Sequence, residues 1–309
     1  MPADDNLLSS GRGDGGDLER VMRLRAFEAF ADLPPAQIAG FAKLAVERFL
    51  PAGTVIQPAG TPAREVHYLI EGEVELRRAA HPAQRLGPRS VINGLASLAQ
   101  VRRSDEVVAV TDTTLLSFTH EDQKDVFEDN FEICRRVMRA VAAAYLDAQL
   151  AAGPAAGQAT TSEALLVPTS MDMVDRIAVL RAATPFDRAP LEALAELAQY
   201  APEVRYPAGQ RLWNAGDEAG WGVAVMIGCL SGSADGVRRE LRFPAGTVAG
   251  ALDTLAGRAR WFDAVSETEV VALRIEANPL FDLLEDHTDM ALQLLGSMAR
   301  GVIALSGAQ

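Results

Sequence analysis

The chain has 309 residues, 49% of them hydrophobic and 23% charged. That is the composition of a protein folding around a core, and at roughly 100–200 residues per domain it is long enough for two domains. Its 42 acidic against 29 basic residues leave a formal net charge of −13, which argues against a nucleic-acid binder with its basic face. The first residues (MPADDNLLSSGRGDGGD) contain no apolar signal region. No run approaches the roughly 18 apolar residues of a membrane-spanning helix, so no membrane insertion is expected. Cys134 and Cys229 cannot supply a disulfide framework or a cysteine-rich zinc site. The expectation is a soluble, reduced, cytoplasmic protein.

In chain order, residues 1–16 are rich in Gly, Asp and Ser and are predicted to be disordered. Residues 35–48 place Ile38, Phe41, Leu44 and Ala45 at the spacing of an amphipathic helix. Short β-branched or alternating segments follow, broken by Gly and Pro: GTVIQ, VHYLI, EVEL, VVAV and TTLLSF. From Glu121 the pattern is helical again. It carries Phe127, Phe131, Cys134, Val137, Met138, Val141 and Tyr145 about one face and runs to a stop at Gly153-Pro154. Residues 151–170 read as a flexible linker. The same order then recurs, closing on a helical stretch over 280–305.

The recurrence is a duplication. Residues 24–60 align with 180–216 without a gap, at an offset of 156. Leu24-Arg25-Ala26 meets Leu180-Arg181-Ala182, Pro51-Ala52-Gly53 meets Pro207-Ala208-Gly209, and Gly72 meets Gly228. After a one-residue slip, Leu116 meets Leu273 and Glu128-Asp129 meets Glu285-Asp286. Many short strands between terminal helices describe a small antiparallel barrel or sandwich with helical packing, twice over. The domains expected are 17–150 and 171–309.

This twice-repeated unit resembles the cyclic nucleotide-binding domain, the family of the catabolite activator sensor and the paired domains of protein kinase A regulatory subunits. The likeness covers about 27–150 and 183–305. It implies an α+β fold of two tandem cyclic nucleotide-binding-like antiparallel β-barrels (double-stranded β-helix, or jelly roll) with flanking helices. The family's ligand cassette runs roughly Phe-Gly-Glu-Leu-Ala-x-Leu, with an Arg nine residues after the Glu, which sets Ile92–Leu98 against it here. There the Glu accepts the ribose hydroxyl, backbone N–H groups of a short helix face the cyclic phosphate, and the Arg neutralises it.

In this register the first repeat offers Gly94, Leu95 and Ala96, with Arg103 and Ser104 following; the second offers Ala251 and Leu252, with Arg260 and Trp261 following. Both arginines are in place, while Gly94 and Ala251 stand where the glutamates would be. A ribose hydroxyl buried without its acceptor costs about 1–3 kcal/mol. Asp105 and Glu106 beside Arg103 oppose an anion unless they point away, and Trp261 and Phe262 offer rings to fill the second pocket. Each arginine is then a retained phosphate ligand, the partner of a nearby carboxylate such as Asp105 or Asp263, or a side chain lying in solvent.

Other chemistry is thin. His67, His81, His120 and His287 are scattered without metal-ligand spacing, and no Walker loop, Rossmann Gly-x-Gly-x-x-Gly or Gly-x-Ser-x-Gly motif is present. No enzyme, catalytic residue, metal or obligatory cofactor is expected, a cyclic nucleotide being the one possible ligand. The chain stops at Gln309 with no room for a helix-turn-helix after the second long helix, and residues 1–20 hold only Arg12 and Arg20, not a basic pseudosubstrate segment. The leading expectation is a regulatory or scaffold protein that binds a protein partner or a second copy of itself. Helix 139–150, the linker and helix 280–305 (Leu283, Leu284, Ala291, Leu294, Leu295) are the candidate contact elements. The alternative is a sensor whose first domain binds cyclic AMP or cyclic GMP and relays through its C-terminal helix.

Overall fold

The computed structural model describes residues 14–78, 82–102, 105–152, 171–183, 186–234 and 241–307. The chain divides into two compact units, Met1–Ile133 and Cys134–Gln309. Residues 1–13, most of the stretch expected to be disordered, and 153–170, nearly all of the expected linker, lie outside the described residues.

The first unit opens with α1 (Asp14–Leu24), so its helix starts inside the stretch read as disordered. A 3-10 turn (Glu28–Phe30) and α2 (Pro35–Leu44) follow, Pro35 occupying the first helical position where its missing N–H has no partner to lose. The helix read over 35–48 ends at Leu44, because Val46, Glu47 and Arg48 enter β1 (Val46–Leu50) and pair with Ser117, Leu116 and Leu115. Then come β2 (Val55–Gln57), β3 (Glu65–Glu71), β4 (Val74–Arg77), β5 (Gln84–Leu86), β6 (Val91–Ile92), α3 (Gly94–Ala99), β7 (Glu106–Ala109) and β8 (Thr113–Thr119). The strands form two antiparallel four-stranded sheets, β1-β8-β3-β6 and β2-β7-β4-β5. Leu69, Ile92 and Leu115 from the first sheet meet Val74 and Val107 from the second, so the core lies between them. On the helical side, Phe30, Phe41, Tyr68 and Phe118 stack edge and face, joining the opening helices to the first sheet.

Thr119 and Asp122 form a capping box that starts α4 (His120–Asp129). The long helix expected from Glu121 is broken at Asn130, whose backbone leaves the helical region, and resumes as α5 (Phe131–Ala152). No Gly or Pro announces the break.

The second unit repeats this order. After α6 (Met173–Ala182) and α7 (Leu191–Tyr200) come β9 (Glu203–Tyr206), β10 (Arg211–Trp213), β11 (Trp221–Ile227), β12 (Cys229–Ser233), β13 (Leu241–Pro244), β14 (Val248–Ala249), α8 (Ala251–Ala256), β15 (Asp263–Ser266), β16 (Val270–Glu276), α9 (Ala277–Asp286) and α10 (Thr288–Gly307). Its sheets, β9-β16-β11-β14 and β10-β15-β12-β13, have the first unit's connectivity. The elements hold an offset of 156 up to β12 and 157 from β13, so the extra residue falls in the connection between β12 and β13. Even the helix break recurs: His287 separates α9 from α10 where Asn130 separates α4 from α5, so the closing helix read over 280–305 is also two.

Gly72 and Gly228, matched across the repeats, both sit at positive φ, +90° and +86°. A Cβ on Gly72 would lie 2.5 Å from the Asp112 carbonyl oxygen, and one on Gly228 would strike the carbonyl of Glu269, its repeat counterpart. Gly72→Ala is therefore expected to destabilise the first unit by about 1–3 kcal/mol through left-handed strain, besides the clash. Thermal unfolding followed by circular dichroism measures this, and an unchanged midpoint refutes the strain.

Leu283, Leu284, Ala291, Leu294 and Leu295, expected as contact residues of the closing helix, are all buried. They belong to the core of the second unit and cannot present a docking face. Among the described residues no helix is long and apolar enough to cross a membrane, and no group of His, Cys, Asp or Glu is placed to hold a metal.

Candidate functional site

Each repeat positions its cassette in the same way. The chain leaves a short strand (β6 or β14), turns through one left-handed residue, and enters a six-residue helix. The turning residue is Asn93 (φ +67°) before α3 and Gly250 (φ +74°) before α8. A second left-handed residue, Gln100 or Gly257, ends each helix. The helices thus present equivalent backbone, and the two sites diverge in their side chains.

In the second repeat Arg260 turns inward and is 2% exposed. Its Nη1 donates to the Gly250 carbonyl at 2.9 Å and reaches Asp253 Oδ2 and Thr254 Oγ1, both at 3.4 Å. Its Nη2 donates to the Trp221 carbonyl. The guanidinium lies 4.2 Å from the Trp213 ring centroid and 5.4 Å from that of Trp221. Burial pushes the Asp253 carboxyl up while the charge of Arg260 pulls it back, and burial lowers Arg260 against the same attraction. An arginine nonetheless stays charged, so the pair is a buried ion pair bracketed by indoles.

The carboxylate that takes Arg260 is therefore Asp253, within α8, and not Asp263. Asp263 accepts from the Ala215 N–H at 2.7 Å and faces Arg211 at 3.5 Å. Phe262 is buried in the barrel core against Trp213 and Phe243, and Trp261 packs partly buried on the same cluster. Ala251 lines a small apolar void of about 30 Å³ with Leu255, Phe186 and Leu280, room for little more than one water.

In the first repeat Gly94, Leu95 and Ala96 form the start of α3. Arg103 and Ser104 lie outside the described residues. Of the two acids beside them, Asp105 is held by Arg78, with Nε–H and Nη2–H donating at 2.7 and 3.3 Å, and Glu106 faces Arg77 at 3.7 Å. The bond to Asp105 raises Arg78 above the usual arginine value.

The repeats differ as coordinated sets. In the first, Asn93 Nδ2 donates to the Glu65 carbonyl and to Gln57 Oε1, both at 3.2 Å. In the second the matching carbonyl, that of Trp221, takes its hydrogen bond from Arg260 instead, and Trp213 replaces Gln57. Gly250 replaces Asn93 because a Cβ there would strike Arg260 and the Trp213 ring. Asp253 replaces Ala96 and supplies the counter-charge. Sequence reasoning from the family motif missed Asp253, Trp213 and Gly250. The signal was present in the duplication itself, since the three change together between aligned positions.

Residues 47–130 match the family model of the cyclic nucleotide-binding domain. No curated protein matches the chain. Among solved structures, the chain is similar to the regulatory subunit of a cAMP-independent protein kinase A from Trypanosoma brucei, with 13% identity, 91% of each chain covered and a TM-score of 0.37. It is similar also to the cAMP-bound regulatory domain of Toxoplasma gondii protein kinase A, with 14% identity, 90% of this chain and 97% of that one covered, and a TM-score of 0.34. A cyclic nucleotide-binding-like protein from Brucella abortus matches at 20% identity over 36% of this chain and 98% of its own, with a TM-score of 0.31. The family match thus falls on the first repeat, and the second repeat has the same order and connectivity of strands.

Proposed function

We propose that this protein is a non-enzymatic regulatory or scaffold protein that acts by protein–protein interaction through two divergent cyclic nucleotide-binding-like domains. The observation that carries this reading is the capture of Arg260. Its charge is already neutralised by Asp253, its two terminal nitrogens are engaged, and Trp213 covers its face. A phosphate would have to break a buried ion pair, a loss of about 3–5 kcal/mol, to gain a charge-assisted bond worth about 1.5–3 kcal/mol. Asp253 thus acts as a built-in substitute for the ligand's anion. In the first repeat Gly94 leaves the ribose without its acceptor. The net charge of −13 favours a basic or mixed-charge partner and steers encounter more than it sets affinity.

Calorimetric titration of the full chain with cyclic AMP and cyclic GMP is expected to give no binding heat up to millimolar ligand. A second reading, a sensor working through the first repeat, is favoured by the family match falling on that repeat and by the register of Arg103 and Ser104. Micromolar binding abolished by Arg103→Glu would establish the sensor and overturn the first reading.

A further inference from the structure

The first repeat contains an open cleft of about 740 Å³, a volume within the range of small-molecule sites, between β2, β3, α3 and the start of α4. It meets α3, the helix of the cassette, at Ser97 and Gln100. We propose that this cleft binds a small uncharged polyhydroxy compound of the sugar or polyol class.

Three of its lining residues are polar yet almost wholly buried: Gln57, His67 and Ser97. Buried polar groups weaken a core unless they are satisfied or have work to do. The second repeat shows that the fold does not require them. At the aligned positions it has Trp213, Val223 and Thr254, and Arg260 and Arg274 occupy the neighbourhood, stacked on Trp213 and Trp221 at 4.2 and 4.1 Å. The first repeat replaces this packing with an open, hydrogen-bonding wall.

The wall is oriented. Ser97 Oγ donates to Gln123 Oε1 at 3.2 Å, and Gln57 is anchored to Asn93 and to Thr61. His67 Nδ1 is bound to Ser117 Oγ at 2.8 Å, while among the described residues its Nε2 has no hydrogen-bond partner and is left for the cleft. Burial, with the charge of Arg48, lowers His67 to about 4, so the imidazole is neutral and recognises a neutral group. The charges near the cleft have both signs: Arg64, Glu65 and Glu121 line it, and Glu65 is already paired with Arg48 at 2.6 Å. No Phe, Tyr or Trp is among the described lining residues to offer a base a broad stacking platform. Ile56 and Val101 supply an apolar patch for the C–H face of a sugar ring.

The test is saturation-transfer NMR on the full chain with maltose and with myo-inositol, repeated on Gln57→Trp and His67→Val, which install the second repeat's residues. Wild type is expected to transfer saturation to at least one probe at millimolar concentration. Gln57→Trp should abolish the signal by filling the cleft, and His67→Val should weaken binding about tenfold by removing one hydrogen bond. The His67 variant carries the test if the tryptophan variant does not fold. No transfer from either probe at about 10 mM, or transfer that survives both substitutions, overturns the proposal.

Discussion

Asp253→Ala is expected to destabilise the second unit by about 3–5 kcal/mol, because it strands the buried charge of Arg260 among carbonyl oxygens and indole rings. Arg260→Leu should cost a similar amount by stranding Asp253 and removing the donor to the Gly250 and Trp221 carbonyls. The double replacement, Asp253→Ala with Arg260→Leu, should cost clearly less than the sum, since neither charge is then left alone. The readout is clean because all three tryptophans, Trp213, Trp221 and Trp261, lie in the second unit, and two of them touch the arginine. Urea unfolding followed by tryptophan fluorescence reports that unit alone. Single effects that add to within about 0.5 kcal/mol would show that the two residues are not energetically coupled, and the capture of Arg260 would lose its energetic basis.

Acidification should weaken the first unit through His67. In the unfolded chain this imidazole binds its proton near 6.5; in the fold, burial and then the charge of Arg48 hold it at about 4. Between those values the unfolded state carries the extra proton, so stability falls as the pH falls. The contribution is intact above about pH 6.5, declines by about 1.4 kcal/mol per pH unit below it, and is exhausted near pH 4 after a loss of about 3 kcal/mol. Hydrogen exchange of amides on β3 and β8, which His67 and Ser117 join, measures it within the first unit. His67→Val, copying Val223 of the second repeat, should flatten the acid slope although it leaves Ser117 Oγ without its partner. A wild-type slope matching that of the variant would mean that His67 takes up its proton without cost.

Much of the architecture was legible in residue order. Alternation and turn residues placed β2, β3, β4, β7 and β8 close to where they stand. The duplication set the boundaries of one repeat against those of the other. The errors share a cause. Residues 45–48 have helical spacing, yet β8 offers them a ladder, and pairing across the sheet outweighs a weak local preference. The breaks at Asn130 and His287 carry no Gly or Pro, and only their recurrence at matched positions marks them as features of the fold.

The site divides along the same line. By itself the sequence determined the two repeats and set Arg103 against Arg260 and Gly94 against Ala251, since these are relations between positions along the chain. Which carboxylate holds Arg260 was a matter for the tertiary structure. Asp263, near it in sequence, faces Arg211, while Asp253 on α8 and Trp213 on β10 are brought to the guanidinium by the packing of the barrel. The inward orientation of the closing helix and the cleft beside His67 were decided there too. A side chain's partners are chosen by the desolvation it suffers and by the groups that the fold places within about 3–4 Å, and chain proximity specifies neither.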